Sequence, residues 1–259
     1  MPELQAALLA LAAIALLAVL GWAVSAIKRD VSIVDSLWPL FFLLAALVYA
    51  AFTGTAGPRA LLLLALVALW ALRLAGYLTW RNWGEPEDRR YQAIRARNEP
   101  GFPWKSLYLV FGLQALLAWV IAMPLFAGLS GAPPLSAIDY AGAALWIFGF
   151  SFETIADWQL ARFKADPASR GRVLDRGLWR YTRHPNYFGE AVLWWGFFLI
   201  ALAAGGGWTV FAPILMTILL LKVSGVALLE KDIAGRRPDY RAYIARTNAF
   251  IPWRPKENS

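Results

Sequence analysis

The run Arg180-Tyr-Thr-Arg-His-Pro-Asn-Tyr-Phe-Gly-Glu190 gathers reactive side chains more densely than any other stretch of this chain. Tyr181, His184, Asn186, Tyr187 and Glu190 offer hydroxyl, imidazole, amide and carboxylate groups within about three helical turns. Pro185 reads as the first turn of a helix, where its missing donor leaves nothing unsatisfied. Free amides and the helix dipole at such a start favour an anion. Arg170, Arg172, Arg176, Arg180 and Arg183 stand in or just before the run, and guanidinium forks match phosphate oxygens bidentately. Together these residues describe a nucleotide site, with phosphates on the loop arginines and ribose and base on the acids and amides. A basic loop resting on anionic lipid would account for the arginines, but not for the other five residues. No G-x-G-x-x-G follows a strand and no Walker A run is present, so a nucleotide would be held without a Rossmann or P-loop domain.

A second set of polar residues lies inside apolar stretches, where ionisable groups are costly and become functional candidates. Glu153 and Asp157 stand four residues apart and share one helix face. Glu190, Glu230 and Asp35 sit at the ends of apolar runs, and Arg73, Tyr77 and Arg81 share a face of another. Plainer readings exist for several. Arg73 and Lys222 would serve as snorkelling or paired cations, Asp35 as a helix cap, and many of the 14 tryptophans as an interfacial belt. Trp194 and Trp195 lie deeper than a belt requires. The Glu153/Asp157 pair resists a plain reading, because two acids on one face repel unless they meet water, cations or ligand hydroxyls.

The elements that must position these groups are membrane spans. The 259 residues are 59% hydrophobic and 16% charged, against about 25% charged in soluble domains. Seven apolar stretches of spanning length occur at about 3–27, 36–53, 60–80, 105–128, 137–160, 187–204 and 208–229. The first lacks a basic n-region and is too long for a signal-peptide core, so it is read as a retained span. Under seven alternating spans nearly all Lys and Arg fall on one side, and the opposite loops hold only Arg59. The positive-inside rule then sets the N-terminus outside and the C-terminus in the cytoplasm. Short outer connections contrast with two inner loops of about 25 residues and a tail of about 30, without strong secondary structure of their own. One all-α domain, residues 1–259, is expected. With no cysteine and one histidine, His184, disulfides, thiolate catalysis and multi-histidine metal centres are excluded. The net charge of +8 belongs to span flanks, so no nucleic-acid partner is expected.

Leu178 through Glu190, with Arg-Tyr-x-Arg-His-Pro-Asn-Tyr-x-Gly-Glu intact, resembles the signature of the steroid 5α-reductase family in its prokaryotic branch. Glu230, Tyr240, Tyr243 and Ile251-Pro252 resemble the family's terminal pattern. Arg73–Tyr77–Arg81 and Glu87-Asp88-Arg89-Arg90-Tyr91 resemble the same branch. The shorter Arg-His-Pro-x-Tyr core is shared with membrane methyltransferases that use S-adenosylmethionine. The resemblance implies a seven-span, NADPH-dependent reductase of the 3-oxo-5α-steroid 4-dehydrogenase type, acting on a CH–CH bond in the bacterial inner membrane. Its dinucleotide site maps by motif onto Asp157, Arg172, Tyr181, His184, Asn186, Tyr187 and Glu190, with Trp194 nearby. By position it adds Arg162, Lys164, Glu230, Arg236 and Asn248. At the substrate end the family's span-three tyrosine corresponds to Tyr77. Val34-Asp-Ser-Leu-Trp-Pro39 departs from the family's Gln-Glu-Leu-Pro pattern and leaves Asp35 as the available acid.

Reducing a conjugated enone needs hydride at the β-carbon and a proton donor or polariser at the carbonyl oxygen. Tyr77, and Asp35 if burial keeps it protonated, are the expected catalytic pair. A steroid or another hydrophobic enone is the expected substrate, membrane lipids the surroundings, and a monomer the expected state. The alternative enzyme is a lipid or isoprenylcysteine-type methyltransferase using S-adenosylmethionine, a cofactor without phosphates to occupy the arginine loop. A transporter would call for repeats or broken mid-membrane helices, and neither is visible.

Overall fold

The computed structural model of the chain describes residues 2–53, 57–130, 134–223, 226, 230 and 239–256. Every regular element among them is helical. The helices are α1 (Pro2–Lys28), α2 (Ile33–Thr53), α3 (Pro58–Asn82), α4 (Arg89–Asn98), α5 (Phe102–Ser130), α6 (Ala137–Ala165), α7 (Pro185–Ala203), α8 (Gly207–Lys222) and α9 (Asp239–Arg246). Proline opens α3 and α7, as expected at a first helical turn. Five helices, α1, α2, α3, α5 and α7, are long and apolar enough to cross a membrane. They mark the chain as a membrane protein. The expected fifth span forms as α6, 29 residues long but interrupted by Asp139, Glu153 and Asp157. The expected seventh is described as the shorter apolar helix α8.

Two features depart from the sequence reading. The first inner loop, expected without strong secondary structure, contains α4, whose N-cap Asp88 accepts from the Arg90 backbone amide at 2.9 Å. The tail contains α9.

The chain packs as two compact units, residues 1–139 with 198–212, and residues 140–197 with 213–259. In the first unit, α1 holds α5 through side chains that reach backbone carbonyls. The indole of Trp119 donates to Ala7 at 2.9 Å and that of Trp22 to Pro103 at 2.7 Å. Phe41, Phe42, Trp70 and Phe111 fill the interior. Arg59, the lone basic residue of the expected outer loops, is not a surface charge. It is buried and binds Asp139 with a two-pronged contact of 2.7 and 2.8 Å, and Ser136 closes the second carboxylate oxygen through its amide and hydroxyl. Burial without these partners would be prohibitive.

In the second unit, α6 and α7 cross with their backbones in contact. A Cβ at Gly189 would lie 2.5 Å from the Glu153 amide nitrogen and 2.6 Å from the Gly149 carbonyl. One at Gly149 would lie 2.5 Å from the Leu193 amide nitrogen, and one at Gly196 2.7 Å from the Gly142 carbonyl. Glycines seven apart on each helix therefore line one seam, the small-residue packing that lets membrane helices approach. Phe152 on Phe188 and Trp146 on Phe197 flank the seam with edge-on ring contacts.

Gly189→Ala should destabilise the protein by more than about 2 kcal/mol, because backbone rather than a side chain must yield. Gly76→Ala, whose Cβ would meet nothing within 4 Å, should be neutral or stabilising by up to about 1 kcal/mol. Thermal unfolding of the two variants in one detergent checks the contrast.

Candidate functional site

The glycine seam sets the second unit's polar cluster. Because α6 and α7 touch along it, Asp157 of α6 is brought to Asn186 of α7. Glu153 is 2% exposed, Asp157 4% and Glu190 7%. Asn186 donates its side-chain amide to Asp157 Oδ1 at 3.2 Å, joining the two helices by a polar contact one turn from Gly189. His184, just before Pro185, is buried, and its ring stacks on Tyr187 with planes 4° apart. Trp194 is fully buried against Phe197 rather than at an interface.

Glu230 closes the cluster. Arg183 binds it with both arms of the guanidinium, Nε to Oε1 at 2.6 Å and Nη2 to Oε2 at 2.8 Å. His184 Nε2 lies 3.0 Å from the same Oε1. Arg183 was expected among the phosphate-binding arginines and is instead committed inside the protein, where Nη1 also donates to the carbonyls of Ile244 and Thr247. Burial would raise the Glu230 carboxyl, but hydrogen bonds from His184 and Arg183 more than reverse this and hold it at about 2. The same carboxylate holds Arg183 above its ordinary value against the opposing effect of burial.

The tail pins the start of α7. Arg183 N donates to the Asn248 carbonyl at 2.9 Å, Thr182 Oγ1 to the Phe250 carbonyl at 2.8 Å, and Trp253 N to the Tyr181 carbonyl at 3.0 Å. The Tyr243 hydroxyl donates to the Trp179 carbonyl from within α9. Asn248, expected as a cofactor contact, takes part here through its backbone, with an exposed side chain.

Other expected residues lie around this cluster. Arg162 and Lys164 extend from the end of α6 as exposed cations, Arg162 over the Trp158 ring at 4.9 Å. Arg170, Arg172, Arg176 and Arg180 are exposed on the following loop, and Tyr181 is half-exposed beside them. A cavity of about 500 Å³ opens among Arg172, Arg176, Arg246, Asp166, Asp175 and Asp239, with Arg246 paired to Asp175. Of the residues expected from the sequence, Arg172 and Arg176 line it. Arg236 falls outside the described residues.

The first unit carries a separate polar cluster at the start of α2. Asp35 accepts from Arg90 Nη2 at 2.6 Å and from the Tyr91 hydroxyl at 2.5 Å, and Arg81 stands 4.0 Å away. Sequence reasoning allowed Asp35 to act as a protonated donor. Its geometry is that of an acceptor, because both oxygens take donors from α4. Asp88 bridges Arg90 at 3.0 Å and takes the Ser32 hydroxyl as acceptor for its own amide at 2.7 Å. Burial would raise Asp88, but Arg90 holds it below the usual carboxylate range. Tyr77 lies half-buried between two guanidiniums, with Arg73 at 6.0 Å and Arg81 at 5.9 Å from its ring centre. Nothing in the spacing of Arg90 and Tyr91 marks Asp35 as their partner.

A carboxyl lowered on folding stabilises the folded state fully above its ordinary value of 4.5 and loses that contribution as pH falls toward about 2. Acid unfolding followed by circular dichroism should therefore be steep across this window, and Glu230→Gln should flatten it. An unchanged slope in the variant would remove Glu230 from the balance.

The comparisons with known proteins give one family and one relative. No solved structure matches the chain. An uncharacterized protein of Schizosaccharomyces pombe (strain 972 / ATCC 24843) is 29% identical over 261 residues, covering 89% of this chain and 75% of its own length. A family profile described as "Protein of unknown function (DUF1295)" matches residues 21–247, from within α1 to just past α9. The chain belongs to this family, which is related to the steroid 5α-reductases.

Proposed function

We propose that the protein is an NADPH-dependent membrane reductase that saturates the C4=C5 double bond of a 3-oxo-Δ4 steroid or a similar enone lipid. It would thread a bacterial inner membrane seven times, N-terminus outside, with its polar clusters open to the cytoplasm. The observation that carries this reading is the second unit's combination of a buried acid–amide–imidazole cluster with a loop of exposed arginines. Arg170, Arg172, Arg176 and Arg180 present guanidinium forks of the kind that grip phosphates. The carboxylate of Asp157 and the amide of Asn186 suit ribose hydroxyls and a carboxamide. The donor set therefore fits a phosphorylated dinucleotide, even with Arg183 withdrawn from it.

Bound NADPH would supply the hydride for the β-carbon of the enone. The chain's own contribution is to polarise the carbonyl and control protons. Tyr77 is the candidate hydroxyl for the enone oxygen. Arg73 and Arg81 beside its ring add positive charge where an enolate would develop. Asp35 accepts hydrogen bonds from Arg90 and the Tyr91 hydroxyl and so holds the charged side chains of this cluster in place. The α-carbon takes its proton from water.

Detergent-purified protein should oxidise NADPH in the presence of a Δ4-3-keto steroid. Tyr77→Phe should lower kcat by about 10²-fold or more while leaving the Kd for NADPH unchanged. Equal turnover in the variant would take Tyr77 out of the mechanism.

A further inference from the structure

We propose that Glu230 is a positioning residue that fixes the tautomer of His184, keeping the hydrogen on Nε2 and turning Nδ1 into an acceptor for a ligand N–H. The ligand half of this statement rests on the nucleotide reading above; the tautomer half does not.

The geometry leaves the neutral ring little choice. Glu230 receives three donors on two oxygens, Arg183 Nε and His184 Nε2 on Oε1 and Arg183 Nη2 on Oε2. A carboxylate bound bidentately by a guanidinium is an acceptor only, so the 3.0 Å contact to His184 requires a hydrogen on Nε2. A neutral imidazole carries one hydrogen, and Nδ1 is then left with its lone pair. One face of the ring is covered, and the residue's backbone is held as well. The Tyr187 ring lies parallel to it with centres 5.7 Å apart. The His184 amide is tied to Thr182 Oγ1 at 3.4 Å, and the same hydroxyl is anchored on the Phe250 carbonyl. Glu230 is in turn held by Arg183, which reaches the Thr247 carbonyl behind it. The arrangement parallels the way a carboxylate orients a histidine whose other nitrogen does the work.

An acceptor nitrogen selects its ligand. It binds a group that carries N–H, such as the primary amide of a nicotinamide, and it rejects a second acceptor by leaving both lone pairs facing. On the nucleotide reading, His184 Nδ1 would accept the N–H of the cofactor's carboxamide.

His184 is the chain's single histidine, so selective ¹⁵N-histidine labelling gives two imidazole resonances that need no assignment to a residue. The spectrum of the full-length, ligand-free protein in detergent is taken near pH 9, about two units above the usual imidazole range. The expected result is a protonated Nε2 and an unprotonated Nδ1. Glu230→Leu, which removes the acceptor, should add a population protonated on Nδ1. Hydrogen on Nδ1 in the wild type, or on both nitrogens, would overturn the proposal. So would an unchanged tautomer in the variant; if that variant fails to fold, the wild-type spectrum decides alone. Saturating NADPH should then shift Nδ1. Binding without such a shift overturns the ligand role and leaves the tautomer standing. No NADPH binding at all overturns the reductase reading, while the ligand-free spectrum still decides the tautomer.

Discussion

Backbone contact between α6 and α7 is the constraint on which the second unit depends. Gly142 and Gly149 face Gly189 and Gly196 so closely that a single added carbon would meet main-chain atoms. In lipid, apolar side chains gain little by leaving one apolar surface for another, so close packing of small residues must hold the helices together. That closeness has a chemical consequence. Asp157 on one helix meets Asn186 on the other, and Glu153, Asp157 and Glu190 are all buried from water. A wider crossing would leave four separate solvated groups.

The charge arrangement follows from the same exclusion of water. A buried cation needs a matched anion, and Arg183 with Glu230 is such a match: two-pronged, with the remaining guanidinium donor placed on main-chain carbonyls. The tail segment from Thr247 to Trp253 completes it by accepting and donating along residues 181–183. The start of α7 is therefore fixed by chain from beyond α9, and the Tyr243 hydroxyl of α9 reaches the carbonyls of Trp179 and Thr182 just before it. In the first unit Arg59 and Asp139 solve the same problem at α3 and α6, and Asp35, Arg90 and Asp88 solve it between α2 and α4.

Local patterns carried most of this into the sequence. Apolar run length located the long helices to within a few residues, Pro185 marked a helix start, and the 3.6-residue repeat put Glu153 with Asp157 on one face. The helix α4 was legible too, from Asp88 ahead of Arg89-Arg90-Tyr91, but its charge disguised it as a loop. Pairings between distant residues were not legible. Arg183 reads as one of five equivalent arginines until Glu230, 47 residues away, claims it. Asp35 reads as a lone acid until α4 folds back with two donors. Gly149 and Gly189 carry no signal individually, because their meaning lies in a contact between helices. Tertiary contact, not local preference, decides each of these.

The central claim is that the second unit binds a phosphorylated dinucleotide. Equilibrium titration of the detergent-purified protein with NADPH, and in parallel with S-adenosylmethionine, tests it most directly. The expected result is saturable NADPH binding that weakens by about tenfold when Arg172 is replaced by alanine, with no measurable binding of S-adenosylmethionine. Preferential binding of S-adenosylmethionine, unaffected by Arg172→Ala, would contradict the claim and make the acid–amide–imidazole cluster the site of a methyltransferase.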